Sequence, residues 1–164
     1  MTKKRNVFFD LDGTIIDSFP EIEYCIVKAL EELNIEMDKD LTRRIIGPPL
    51  DEILREIVPK KNLDQIEDIK KAYFKIYENF CESSKLYNGV RIVLERLSQK
   101  NNLYVLTNKS EHFSKKIINS KKISSFFVDI LCVDTSIDSL SSKSKVLESR
   151  IINCKLSPKD SFLI

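Results

Sequence analysis

The sequence predicts an α/β protein, a parallel sheet with helices on both faces, carrying an all-helical insertion after its first strand. Three observations predict it. An apolar run of strand formers, Val7-Phe8-Phe9, ends in the turn Asp10-Leu11-Asp12-Gly13-Thr14. From Tyr87 onward, short apolar runs alternate with helical periods, the pattern of a parallel sheet covered on both faces. Between them, residues 18–86 read as wholly helical. That interval of about 70 residues is far longer than a loop between neighbouring elements.

Taken in order, the first strand is expected over residues 6–11. Ser18-Phe19-Pro20-Glu21 has the form of a capping box, with a hydroxyl for the third helical N–H and a glutamate reaching back. Ile22, Cys25, Ile26, Ala29, Leu30 and Leu33 then form an apolar stripe at helical spacing. Leu41, Ile45 and Ile46 suggest a second helical segment, which must stop at Gly47-Pro48-Pro49 because proline lacks a donor and restricts the residue before it. Leu50, Ile53, Leu54 and Ile57 restart the period until Pro59. A longer amphipathic stretch runs from Leu63 to Phe80, with Tyr73, Phe74, Tyr77 and Phe80 expected in the core of the insertion.

The pattern changes at Tyr87-Asn88-Gly89. Val90, Val93, Leu94 and Leu97 mark a helix, and Leu103 to Leu106 a buried strand. Phe113, Ile117 and Ile118 mark another helix, Phe126 to Val133 a strand, and Val146, Leu147 and Ile151 a helix. Phe162-Leu163-Ile164 is a last strand. The predicted organisation is a core of residues 1–17 and 87–164 with residues 18–86 inserted.

Composition narrows the function classes. Among 164 residues, 27 lysines and arginines face 25 acidic residues, a net charge of +2 that gives no field for nucleic acid or an anionic membrane. No run approaches the roughly 18 apolar residues of a membrane span. Lys3-Lys4-Arg5 precedes only a short apolar run broken at Asp10, shorter than a secretory signal requires, so a cytosolic protein is expected. Cys25, Cys81, Cys132 and Cys154 show no metal-binding spacing and are expected as buried free thiols. None of the three glycines belongs to a dinucleotide or P-loop motif.

Ligands of open parallel sheets sit beyond the carboxyl ends of the strands. Three such ends carry chemistry: Asp10 and Asp12 after the first, Thr107, Asn108 and Lys109 after Leu103 to Leu106, and the Lys143 region after Phe126 to Val133. Residues two apart on a strand share a side, so the two aspartates are expected to face one pocket. Carboxylates, a hydroxyl, an amide and a cation together suit phosphoryl transfer. One carboxylate can attack phosphorus and the second can move protons. Neutral and cationic donors hold the transferring oxygens. Two carboxylates beside a dianionic phosphate also call for a hard dication such as Mg²⁺. Thr107 and Asn108 are also ordinary helix starters, and a lysine at 109 is commonly solvated. His112 is expected to be structural or exposed.

VFFDLDGTIIDS, residues 7–18, resembles the first motif of the haloacid dehalogenase-like hydrolase superfamily. Ile46-Gly47-Pro48-Pro49-Leu50 is similar to the cap loop of its phosphoglycolate phosphatase-like members, and Tyr87-Asn88-Gly89-Val90 to their return to the core. Val105 to Lys109 resembles the second motif, and Lys143-Ser144-Lys145-Val146-Leu147 the third, with Lys143 as the matching lysine.

The resemblance implies a Rossmann-like core with an inserted helical cap, and a Mg²⁺-dependent phosphatase acting on a small phosphorylated metabolite. Asp10 would be nucleophile and metal ligand. Asp12 would be acid/base, with its carbonyl on the metal. Thr107, Asn108 and Lys143 would hold the phosphate, and Gly47, Pro48 and Pro49 would meet the substrate. The family's fourth, acidic motif would directly follow Ser161-Phe162-Leu163-Ile164, so the chain is expected to be a piece of a longer protein. The alternatives are a phosphosugar mutase with the same intermediate and a non-catalytic relative. Carbon–halogen displacement is disfavoured, since it has no need of Asp12.

Overall fold

Four strands whose side chains are apolar on both faces assemble into one parallel sheet. The computed structural model describes residues 4–43, 46–133, 143–153 and 156–164. Strand β1 (Arg5–Phe9) lies inside the sheet and is buried from Asn6 to Phe9. Strands β2 (Ile16–Asp17) and β3 (Lys85–Leu86) pair with each other apart from it. Strands β4 (Asn101–Thr107), β5 (Phe127–Cys132) and β6 (Ser161–Leu163) complete the sheet in the order β5-β4-β1-β6, all parallel.

Register follows from what must be buried. Phe8 sits opposite Tyr104 and its ring stacks on the tyrosine, with centroids 4.8 Å apart. Leu106 joins them, and Leu131, Val146, Leu147 and Leu156 pack against the group. Buried Asn6 lies opposite Asn102, whose Nδ2 donates to Asn6 Oδ1 at 3.2 Å, so this polar pair is satisfied inside the sheet.

Three helices belong to the segment between β2 and β3: α1 (Phe19–Glu32), α2 (Leu50–Ile57) and α3 (Ile66–Phe80). Helices α4 (Val90–Ser98), α5 (Glu111–Ser120) and α6 (Lys143–Asn153) alternate with the later strands. The chain separates into two compact units, Met1–Asp17 with Lys85–Ile164, and Ser18–Ser84. The second unit has its own apolar core. Ile22, Cys25, Ile26, Ala29 and Leu30 of α1 are buried, as are Ile53, Leu54 and Ile57 of α2 and Ile66, Ile69, Tyr73 and Tyr77 of α3. In the first unit the two short strands pair antiparallel, Ile16 with Leu86 and Asp17 with Lys85, so the chain departs and returns along one ladder.

The structure corrects several expectations. Residues 18–86 are not wholly helical: Lys85–Leu86 is a strand, and the described residues between Leu33 and Pro49 contain no α-helix. Leu41 is buried and Ile46 half-buried without the helix expected there, while Ile45 lies outside the described residues. Acidic Asp38 and Asp40 on one side and two prolines on the other leave too few residues to repay helix nucleation.

The capping box does not form. Ser18 adopts φ −96° and ψ −3° and makes no side-chain cap bond. Its hydroxyl is fully buried with no hydrogen-bond partner, and Glu21 instead accepts from Ser83 Oγ at 3.2 Å. A capping hydroxyl needs extended ψ to aim at the third N–H, and Pro20 removes the alternative donor at the second position. Phe74 and Phe80 are exposed, so only Tyr73 and Tyr77 of the aromatic stripe join the core. Cys25 and Cys81 are buried thiols, Cys132 is half-buried, and Cys154 lies outside the described residues.

Candidate active site

Because all four strands run the same way, their carboxyl ends form one edge of the sheet. Asp10 follows β1 there, Thr107 closes β4, Val133 follows β5 and Ile164 follows β6. The ladder bonds continue past the strands. The Asp10 N–H donates to the Ile164 carbonyl at 3.1 Å, and the Val133 N–H to the Thr107 carbonyl at 2.9 Å. Strand β1 sits between β4, reached in one direction across the sheet, and β6, reached in the other. Such a reversal of strand order opens a crevice at the carboxyl ends, and Asp10 stands at it.

The Asp10 carboxylate is held at both oxygens. Leu11 N–H donates to Oδ1 at 2.7 Å, and Lys143 Nζ, on the first residue of α6, donates to Oδ2 at 2.5 Å. This pair keeps partial access to water, with the side chains 24% and 25% exposed. Fully buried Leu11 then leads into a tight loop, in which the Ile15 and Ile16 N–H groups both donate to the Leu11 carbonyl. Gly13 has φ +78°, a value costly for any residue with a Cβ, and its N–H donates to the Ile16 carbonyl at 2.9 Å. The loop places Asp12 beside Lys109 Nζ, 3.3 Å from Oδ1, with side-chain exposures of 13% and 9%. That carboxylate oxygen is buried and accepts no hydrogen bond.

Thr107 is buried at the end of β4, and its Oγ1 accepts the Lys109 N–H at 3.1 Å. Asn108, between them, is half-buried. The edge thus gathers Asp10 with Lys143, Asp12 with Lys109, and Thr107 with the Lys109 backbone. Lys145 is exposed, as is His112 at the start of α5. Gly47, Pro48 and Pro49 belong to the other unit, where they bend the chain and Pro49 precedes the first turn of α2. Cys132 is no rival nucleophile: burial pushes its thiol up, only partly offset by a hydrogen bond with Ser114, which leaves little thiolate.

Two carboxylates and two ammoniums cancel within this group. A dianionic phosphate entering it therefore meets no excess positive charge, and the donors facing it are hard oxygens, the kind Mg²⁺ prefers. Among the described residues no third His, Cys, Asp or Glu joins the two aspartates.

Lys109, expected from its residue type to be solvated, is instead largely buried beside Asp12. The available signal is its place, two residues past a buried strand end and shortly before a helix.

The family described as haloacid dehalogenase-like hydrolase matches residues 7–160. The chain belongs to this family. A phosphoglycolate phosphatase of Aquifex aeolicus is 33% identical over 148 residues, covering 88% of this chain and 68% of that protein. One from Pasteurella multocida is 31% identical, covering 80% and 63% respectively, so the chain spans about two thirds of the length of such relatives. A haloacid dehalogenase-like hydrolase of Streptococcus pneumoniae superposes with a TM-score of 0.84 at 27% identity, covering 99% of this chain and 76% of its own. The parallel α/β sheet is thus the fold of the family. No helix among the described residues is long and apolar enough to cross a membrane.

Proposed function

We propose that the protein is a Mg²⁺-dependent phosphatase of small phosphomonoesters in the cytosol, similar to phosphoglycolate phosphatase, working through an aspartyl-phosphate on Asp10. The observation that carries this reading is the Asp10–Lys143 pair at the strand-order reversal, with Thr107 at the neighbouring strand end. Lys143 is exposed enough to leave Asp10 for an arriving phosphate, which frees Oδ2 while the Leu11 N–H still orients the carboxylate.

With substrate bound, Asp12 carries a proton taken up from solvent; Asp10 attacks phosphorus, and the ester oxygen departs with that proton. In the second half-reaction water attacks the same phosphorus, Asp12 takes its proton, and inorganic phosphate leaves with Asp10 restored. Thr107, Asn108 and Lys143 hold the equatorial oxygens throughout. The Asp10 carboxylate and the Asp12 carbonyl would hold Mg²⁺, which supplies charge neutralisation between phosphate and carboxylate. The helical unit, residues 18–84, is assigned the role of cap, and Gly47, Pro48 and Pro49 that of its substrate-facing loop, on the resemblance alone.

The test uses full-length protein. It should release phosphate from p-nitrophenyl phosphate with Mg²⁺, lose that activity to EDTA and regain it on Mg²⁺ addition. Asp10→Asn should abolish turnover; turnover retained in that variant overturns the mechanism. Transfer to a sugar hydroxyl instead of water, the mutase alternative, is read by product analysis with a sugar phosphate.

A further inference from the structure

Two lysines contact the two aspartates, and their surroundings differ. Lys143 and Asp10 are both about one quarter exposed, whereas Lys109 and Asp12 are 9% and 13% exposed. A charge that buried separates from its partner only at a large desolvation cost. The root of the Lys109 side chain is also fixed. Its N–H donates to Thr107 Oγ1 at 3.1 Å, and its carbonyl accepts a long bond, 3.5 Å, from Ser114 Oγ, itself buried on α5. Its ammonium lies 3.3 Å from Asp12 Oδ1, the buried oxygen that accepts no hydrogen bond.

We propose that Lys109 is the positioning residue for Asp12, its ammonium fixing the acid/base carboxylate, while Lys143 is the lysine that moves to the phosphoryl group. The proposal rests on the phosphatase reading above. Lys109 acts here through Asp12 on the step that Asp12 serves, proton delivery to the leaving oxygen, and makes no contact with phosphate itself.

A leaving-group comparison separates these roles. kcat/KM reports the steps through phosphorylation of Asp10, and an alkyl phosphate needs protonation at its departing oxygen while a nitrophenyl ester hardly does. Lys109→Met should therefore lose about 10²-fold in kcat/KM on an alkyl phosphate and less than about 5-fold on p-nitrophenyl phosphate, within the span of general acid catalysis. Its inhibition constant for inorganic phosphate should stay within about 2-fold, where Lys143→Met raises it more than about 10-fold.

Removing one member of a buried pair is a folding risk, so Asp12→Asn/Lys109→Met, which removes both charges, is compared with Asp12→Asn alone. Equal residual activity supports the proposal. A further loss of about 10-fold, or a phosphate inhibition constant raised by that much in Lys109→Met, overturns it and leaves the phosphatase reading standing. Wild-type protein inactive with Mg²⁺ overturns both.

Discussion

Ser18 shows how a residue that looks like a cap can be a cost. Its hydroxyl is fully buried, accepts from no helical N–H and has no hydrogen-bond partner. A working Ser cap loses about 1 kcal/mol on replacement by Ala, whereas deleting a buried unsatisfied polar group relieves about 1–3 kcal/mol. The second effect governs here, offset in part by the contacts the buried oxygen makes, so Ser18→Ala should leave stability unchanged or raise it by up to about 1 kcal/mol. Urea unfolding reads this as an unchanged or higher midpoint at constant slope, and a loss of about 1 kcal/mol would show that the cap exists after all. Asp10 and Asp12 stand out in sequence as a candidate pair because one turn carries both carboxylates. The partners Lys109 and Lys143 are separated from them by most of the chain, so which lysine meets which aspartate appears only once β1, β4 and α6 are assembled.

Among elements, helices α2 and α3 are tied at the surface by Asp51. Its Oδ2 accepts from Arg55 Nε at 2.6 Å one turn along α2, and its Oδ1 lies 3.5 Å from Lys70 Nζ on α3. Burial alone pushes this carboxyl up, but the hydrogen bonds and charges of Arg55 and Lys70 together outweigh it and hold the group below its ordinary value. A carboxyl with a lowered folded pKa adds stability that is present above its unfolded value and is lost as pH falls through the folded one. Asp51→Asn should therefore cost at most about 1 kcal/mol at neutral pH, since the pair is partly exposed and screened. The cost should shrink in high salt and vanish in acid, and denaturation midpoints across pH test it. A penalty that persists in acid would assign the effect to packing. Helices with strong periods, such as α1 and α3, are legible from spacing alone, and β4 from its unbroken apolar run. The Leu41–Ile46 stretch is not, because a few apolar residues at helical spacing also suit a loop that tucks Leu41 inward. The two-residue strands β2 and β3 are too short to leave any period, and they exist only as a pair.

For the whole molecule, topology separates two kinds of folding problem. The sheet is built from distant parts: Arg5 pairs beside Asn101, and Asn6 beside Ser161. The unit Ser18–Ser84 is contiguous, with α1 packed along α3, and Cys25 and Ile26 of the one and Ile69 and Tyr73 of the other are buried. Local contacts form at small loop-closure cost, while the sheet must first bring its ends together. The sequence shows a helical interval between a strand and a strand–helix alternation, while the return at Lys85, just before Tyr87, depends on the β2–β3 ladder. Two cores with separate residues should open as two cooperative units. Ile69 is fully buried in the helical core, so Ile69→Ala removes apolar contact there and should cost about 2–5 kcal/mol. Native-state hydrogen exchange should show that loss in the amides of α1 and α3, with β1 and β4 keeping their wild-type protection. An equal fall in both sets would mean that the helical core opens only together with the sheet, and the two units would then be one cooperative structure.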